Sequence, residues 1–443
     1  MKKLAWLIVS PLLAGTALAA DLMQIYREAQ DNDPTFAAAR STLDAGREKS
    51  PQALSGLLPS LSLSGNTTWN NNDYTYPAAP AYNGTRRFNS NGYQATLSQP
   101  LFRWQNWVAY DQAKMQVAQA EANYAQARQD LILRVSQAYF DVIYAVENLK
   151  AVRANKTAIG QQLESAKKNF EVGTATITDT HEAQARYDLA AAQEIAAESD
   201  LEVRQRTLQS IIGKESGPLA PTRKDAELAP PQPADMNQWV KAAENDSISV
   251  QIQRAAADIA SREVDKQRAG HYPTVDVVAN YGHAKTLAST ALGSVETDLK
   301  NAAIQLNIPL FQGGLTTSRQ REAAANRGVA ESALEAAKRS AALSARQYYL
   351  GVANGLAQVK ALKAALVSSQ SALESNKLGY EVGVRINIDV LNAENQVYVT
   401  RRDLAKATLD TLMAQLRLKA ATGALGDDDV AQINALLDPS SAQ

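Results

Sequence analysis

The strongest constraint in this 443-residue chain is that it contains one unit twice. Leu58-Pro59-Ser60-Leu61 returns as Tyr272-Pro273-Thr274-Val275, and Gln99-Pro100-Leu101-Phe102 returns as Ile308-Pro309-Leu310-Phe311. Phe170-Glu171-Val172-Gly173 with Asp179 returns as Tyr380-Glu381-Val382-Gly383 with Asp389, and Ile212-Gly213 as Thr422-Gly423. Subtracting the matched residue numbers gives offsets of 214, 209, 210 and 210. Such a repeat decides the architecture before any single motif does. Each copy reads as helix, strand, loop, strand, long helix, turn, long helix. The first repeat covers 20–213 and the second 235–423. Residues 214–234, with Pro218, Pro221, Pro230, Pro231 and Pro233, form the linker, and 424–443 are a C-terminal segment.

Long helices are expected over about 104–170 and 178–212, and over about 314–381 and 388–422. Between Trp104 and Phe170 there is no proline and one glycine, Gly160. A continuous helix of that length would span ~100 Å at 1.5 Å per residue. Leu131, Val135, Ala138, Val142, Ala145, Leu149 and Val152 follow a 4-3 spacing that resumes at Ile159 and Leu163 after a lapse at Lys156. This is a heptad seam, and heptads impose left-handed supercoiling. Tyr139, Ile143 and Val146 form a second seam beside it, so the helix should have neighbours on two sides. Val359, Leu362, Leu366 and Leu373 keep the spacing in the second copy. Aromatic residues are only 6% of the chain and apolar residues 45%, so small side chains favour closely approaching helices. Taken alone, the helices fit a plain coiled-coil rod or bundle equally well.

Strands are expected over about 59–70, 90–101, 273–283 and 299–310. Leu61, Leu63, Thr67 and Trp69 alternate with Ser60, Ser62 and Ser64, and Tyr93, Ala95 and Leu97 alternate with Gln94, Thr96 and Ser98. Val275, Val277, Ala279 and Tyr281, then Ile304, Leu306 and Ile308, repeat the pattern. One apolar and one polar face suits a membrane barrel, and equally a soluble sheet lying on a core. Residues 70–88 and 283–298 read as long polar loops, of the kind that outer-membrane barrels present outside. Four strands cannot close a membrane barrel, whose minimum is about eight, so a barrel would need several chains. Pro59, Pro100, Pro273 and Pro309 stand where helix is expected to meet strand, and proline neither donates to a ladder nor continues a helix.

Residues 1–19 read as a secretory signal peptide: Met1-Lys2-Lys3, an apolar run from Leu4 to Leu18 broken by Pro11, and Ala17-Leu18-Ala19 before the cleavage point. The alternative, a membrane anchor, is disfavoured because the run falls short of the ~20 residues a spanning helix needs. No later segment reaches 18 continuous apolar residues, so any membrane crossing by the mature chain would use β-strands. With no cysteine, disulfides, thiol nucleophiles and lipidated cysteines are excluded. A net charge of −1 gives no electrostatic case for a nucleic-acid partner. His181, His271 and His283 lack metal-ligand spacing, and the sequence has no phosphate-binding loop or nucleophile elbow. Hence no cofactor, metal site or enzymatic activity is expected. Asp427-Asp428-Asp429 reads as the solvated cap of a short helix.

These residues resemble the TolC family of outer-membrane channel proteins over nearly the whole mature chain. The likeness begins at Asp21-Leu22-Met23-Gln24-Ile25-Tyr26 and includes the Pro-Leu-Phe elements and both Val-Gly turns. Its most specific piece is Gly379-Tyr380-Glu381-Val382-Gly383-Val384-Arg385 with Ile388-Asp389-Val390-Leu391. The resemblance implies a mainly α fold with membrane β. Three chains of a homotrimer would supply twelve strands to one barrel in outer-membrane lipid, and their helix pairs would form a tunnel through the periplasm. It also implies passive export of small molecules or proteins, with an inner-membrane pump and a periplasmic adaptor as partners.

By motif position, the family's periplasmic gate falls on Thr178, Asp179, Tyr380 and Arg385. Tyr380 hydroxyl could donate to the Asp179 carboxylate, and Arg385 brings several fixed donors. These residues could equally be polar caps of helical hairpins, and Asp179 suits a helix start. Asp389 falls at the pore constriction, where three symmetry-related carboxylates would favour cations. Many members carry a second Asp three residues on. Here it is Asn392, which should roughly halve the field of such a ring, and Glu394 is on another face. Val172, Gly173, Val382 and Gly383 fall where the family's adaptors dock. The competing reading is a soluble periplasmic coiled-coil scaffold or adaptor; tandem hairpins with matched prolines argue against it.

Overall fold

The computed structural model describes residues 19–174, 176–223, 226–290 and 293–441; apart from Ala19, the signal-peptide segment lies outside the described residues. The chain is mostly helical with one antiparallel sheet. The first copy supplies helices α1 (Leu22–Asn32), α2 (Pro34–Arg47) and α3 (Lys49–Ser55), strands β1 (Ser60–Tyr74) and β2 (Gly84–Phe102), then helices α4 (Trp104–Glu171) and α5 (Ile177–Ile212). The second supplies α6 (Met236–Asp246), α7 (Ile248–Arg268), β3 (Thr274–Thr290), β4 (Gly293–Asn307), α8 (Leu315–Glu381) and α9 (Asn387–Ala421), followed by α10 (Asp427–Asn434). Two compact units result, and their boundaries fall inside α2, α4 and α8 and between α6 and α7.

One unit, residues 40–124 and 248–338, holds the sheet, in the order β1-β2-β3-β4. The sequence offsets are reproduced in its register. Ser62 pairs with Thr96 in the first hairpin, and the residues 214 and 209 further on, Asp276 and Gln305, pair in the second. Leu61, Leu97, Ala279 and Ala302 stand in one cross-strand row, and Ser62, Thr96, Asn280 and Asn301 in the next, on the opposite face. The polar row is bonded across strands. Thr96 Oγ1 and Gln94 Nε2 donate to Asn280 Oδ1 (2.8 and 2.9 Å), and Asn280 Nδ2 donates to Asn301 Oδ1 (2.9 Å). The apolar row lies bare within the chain: Leu61, Leu63, Trp69 and Ile304 are 75%, 77%, 80% and 73% exposed. A soluble sheet would bury that face on a core. β1 and β4 are the free edges.

The loops are shorter than expected. Segments 70–88 and 283–298 are mostly strand, with Tyr74 still opposite Gly84 and Thr286 opposite Val295. Asn, Ser and Thr mislead here because a ladder that leaves the hydrocarbon has water on both faces and needs no apolar row. Cross-strand pairs hold these ends: His283 Nδ1 lies 2.9 Å from Asp298 Oδ1, and Lys285 pairs with Glu296. Pro59 and Pro273 stand just before strands and Pro309 just after one, but Pro100 sits inside β2, where the register to β3 shifts. Arg103, between β2 and α4, grips Asp276 of β3 through two bonds of 2.7 Å. In the same unit α2 closes on α4: an added Cβ at Gly46 would fall 2.5 Å from the Ala120 methyl. Small residues permit that approach, as the Ala-rich composition anticipates.

The other unit comprises residues 1–39, 125–247 and 339–443. Within it most of both α4 seams is buried: Leu131, Val135, Ala138, Val142, Ala145 and Leu149, and beside them Tyr139 and Ile143, while Val146 and Val152 are half-buried. The lapse at Lys156 is filled by charge. Lys156 Nζ meets Glu194 Oε2 of α5 at 2.7 Å, and Arg153 reaches Glu194 at 3.0 Å and Glu198 at 2.5 Å. These two cations hold the Glu194 carboxyl below the usual range, Lys156 most strongly. Tyr139 hydroxyl donates to Ala220 O (2.8 Å), anchoring the linker on α4, and burial pushes its phenol up. The acidic run forms the first turn of α10 and does more than cap it. Asp427 accepts from Tyr26 (3.0 Å) and Arg128 (2.6 Å), tying the C-terminal segment to α1 and α4. Asp429 caps Gly426 N (3.0 Å) and lies 3.6 Å from Lys419 Nζ.

Candidate gate and constriction

Both helix pairs turn in the same way. After α4, Val172 N bonds Lys168 O (3.1 Å), Gly173 N bonds Phe170 O (3.0 Å) and Thr174 N bonds Asn169 O (2.8 Å). After α8, Val382 N bonds Leu378 O (3.1 Å), Gly383 N bonds Tyr380 O (3.1 Å) and Val384 N bonds Gly379 O (2.9 Å). Gly173 (φ 78°) and Gly383 (φ 79°) take the left-handed conformation that ends each helix, where a side chain would be strained. Val172 and Val382 beside them are exposed, so each turn presents an apolar tip.

In the first turn, Thr176 caps α5 reciprocally with Asp179. Asp179 N donates to Thr176 Oγ1 (3.3 Å), while Thr176 N and Oγ1 both donate to Asp179 Oδ2 (2.9 and 2.8 Å). The backbone N–H of Thr176, with its hydroxyl second, holds the Asp179 carboxyl below its ordinary range. Thr178 lies exposed in the same helical turn.

In the second turn, Arg385 folds forward. Its Nη1 lies 3.6 Å from Oδ2 of Asp389, one turn along α9. Its aliphatic stem crosses Gly379 so closely that a Cβ there would fall 2.7 Å from Arg385 Cγ. Tyr380 hydroxyl accepts from Asn169 Nδ2 (3.3 Å), joining the ends of α8 and α4. Nearby, Arg186 of α5 donates from Nη1 to Asn392 Oδ1 on α9 (3.1 Å) and faces Glu182 at 3.3 Å. Ile159, Ala190 and Leu391 pack together beneath these links, so α4, α5 and α9 meet there.

The expected Tyr380–Asp179 bond is not formed within the chain. Asp179 is three residues from Thr176 and satisfies its carboxylate locally, at little entropic cost, while Asn169 takes the Tyr380 hydroxyl. Arg385 and Asp389 do meet. Glu394 is buried against Lys377 (3.4 Å), off the exposed face of Asn392. Four contributors are not marked as such by the sequence motifs. Thr176 is legible in principle, because Thr-x-x-Asp is a capping pattern. Gly379, Asn169 and Arg186 are not, since their partners are fixed only by folding.

The sequence model of the family described as Outer membrane efflux protein matches residues 25–214 and 239–424, one stretch per repeat. The chain belongs to that family. Outer membrane protein TolC of Vibrio cholerae serotype O1 is 34% identical over 441 residues, covering 98% of each chain. Alkaline protease secretion protein AprF of Pseudomonas aeruginosa is 30% identical over 423 residues, 95% of this chain and 88% of that one. The fold matches the solved Campylobacter jejuni CmeC outer membrane channel (TM-score 0.79, 16% identity, 94% and 90% covered). It also matches the Vibrio cholerae outer membrane protein VceC (TM-score 0.76, 18% identity, 91% and 96% covered). The chain is thus an outer-membrane export channel that extends into the periplasm. The TolC family functions as homotrimeric channels working with inner-membrane pumps. No helix among the described residues is long and apolar enough to cross a membrane. The bare apolar row of the sheet is the surface suited to lipid.

Proposed function

We propose that this channel is shut at its periplasmic end by the polar links at the two helix turns and opened by a periplasmic adaptor coupled to an inner-membrane pump. The gate comprises Tyr380 on Asn169, Arg385 on Asp389 and the Thr176–Asp179 cap that fixes the start of α5 beside Thr178. The observation that carries this reading is the Asn169–Tyr380 hydrogen bond at 3.3 Å, which ties the end of α8 to the end of α4. A neutral hydrogen bond of this kind is worth about 0.5–1.5 kcal/mol, and an exposed ion pair one helical turn apart about 0.3–0.5 kcal/mol. Several such links, repeated by threefold symmetry, hold a closed end that protein contacts can still overcome. Asp389 lies at the constriction. Val172–Gly173 and Val382–Gly383 form the adaptor contacts, because they are exposed apolar tips on rigid turns. Small molecules and proteins both fit as cargo. The likeness to a protease secretion protein supports the latter, and a polar lumen recognises neither specifically.

The test is single-channel conductance in planar bilayers, comparing the detergent-purified trimer with a Tyr380→Phe/Arg385→Ser variant. A small conductance that rises severalfold in the variant is the expected outcome. Equal and large conductance in both would keep the channel and discard this gate. A folded protein that stays soluble without detergent and conducts nothing would favour the scaffold instead.

A further inference from the structure

Asp389 and Asn392 are three residues apart on α9, so their side chains share a face, roughly 5–6 Å apart at Cβ. That face is not the packed one, since Leu391, Glu394 and Val397 are buried. Arg186 reaches it from α5, in the other repeat, and its guanidinium is fixed 3.1 Å from the side-chain oxygen of Asn392. The acceptor is neutral. An aspartate at this position would give Arg186 a second carboxylate beside Glu182, whereas an asparagine holds the guanidinium without adding charge. Glu182 is the other partner of Arg186, at 3.3 Å, with 43% of its side chain exposed. Asp389 in turn faces Arg385. Per chain, this part of the face thus carries two carboxylates and two guanidiniums, Asp389 with Arg385 and Glu182 with Arg186.

We infer that Arg186, held by Asn392, sets the charge of the constriction to near balance, so that the closed channel discriminates little between anions and cations. The inference rests on the reading of Asp389 as a constriction residue. Three like carboxylates around an axis would otherwise concentrate cations, because field lines focus in a narrow low-dielectric passage. With Arg385 and Arg186 set against Asp389 and Glu182 in each of three chains, that field is offset, and loss of Arg186 would leave one carboxylate per chain in excess. The cargo admitted would include anionic solutes, which an all-acidic ring repels.

The experiment is the reversal potential of single channels across a potassium chloride gradient, using the full-length trimer. Wild type should give a potassium-to-chloride permeability ratio within about twofold of one, with Arg186→Gln and Asn392→Asp each raising it by about threefold or more. Arg186→Lys keeps the charge and should stay near wild type, which a purely packing role would not predict. Adding Asp389→Asn to Arg186→Gln should return the ratio toward one. A wild type already strongly cation-selective, or an Arg186→Gln channel with an unchanged ratio, overturns the inference and leaves the channel reading standing. Trimers that insert and conduct nothing overturn both.

Discussion

Among single residues, the second turn depends on a missing side chain. Gly379 has none, and the stem of Arg385 occupies the space one would fill. Its backbone is ordinary helix rather than left-handed, so alanine is conformationally acceptable there. This separates stability from gating. Gly379→Ala should leave thermal stability near that of the wild type, because the about 1 kcal/mol by which alanine is favoured over glycine in a helix offsets the cost of displacing the Arg385 stem. The same methyl should push Arg385 off Asp389, and single-channel conductance should rise severalfold. Wild-type stability with unchanged conductance would remove the Arg385–Asp389 pair from the gate. The motif around Tyr380 made Arg385 and Asp389 legible in the sequence. The role of Gly379 was not, because the glycine pattern gives no sign of which side chain will lie across it.

Among helices and strands, the strands were legible where lipid imposes an alternation and illegible where it does not. Leu61 and Leu63 alternate with serines and mark β1 unambiguously, whereas Asn70-Asn71-Asn72 continues the same ladder and reads as loop. The helices were easier, since a heptad seam persists over many turns, and its lapse at Lys156 proved to be an ion-paired patch rather than a break. The face assignment can be tested within one strand. Leu63→Arg puts a charge on the exposed apolar row, at a cost of about 2–4 kcal/mol near the bilayer midplane. Ser62→Arg, one residue away, points to the opposite face. Refolding into detergent or lipid, followed by heat-modifiable mobility on gels, should show Leu63→Arg impaired and Ser62→Arg inserted. Equal behaviour of the two would mean that the alternation does not separate lipid from lumen.

In the assembled channel, the repeat specifies how copies meet, which one chain alone leaves open. β2 and β3 join the two copies inside the chain. By the same offsets, β4 of one protomer should join β1 of the next, completing twelve strands from three free edges on each side. Thr96 opposite Asn280 becomes Gln305 opposite Asn66, both on the polar face. The joint cannot be equally strong, however. Arg103 on Asp276 becomes Gln312 beside Ser62, so the ion pair that clamps the internal joint has no charged counterpart between protomers. The absence of cysteine makes the register directly measurable. Residues opposite one another in antiparallel strands have Cα atoms about 4.5–5.5 Å apart, inside disulfide range. Asn66→Cys with Gln305→Cys should therefore oxidise to a covalent trimer on denaturing gels. Asn66→Cys with Ile304→Cys should not, since Ile304 faces the other way. Cross-linking by the second pair, or by neither in a conducting trimer, would show that the protomers close in a different register from the one repeated inside each chain.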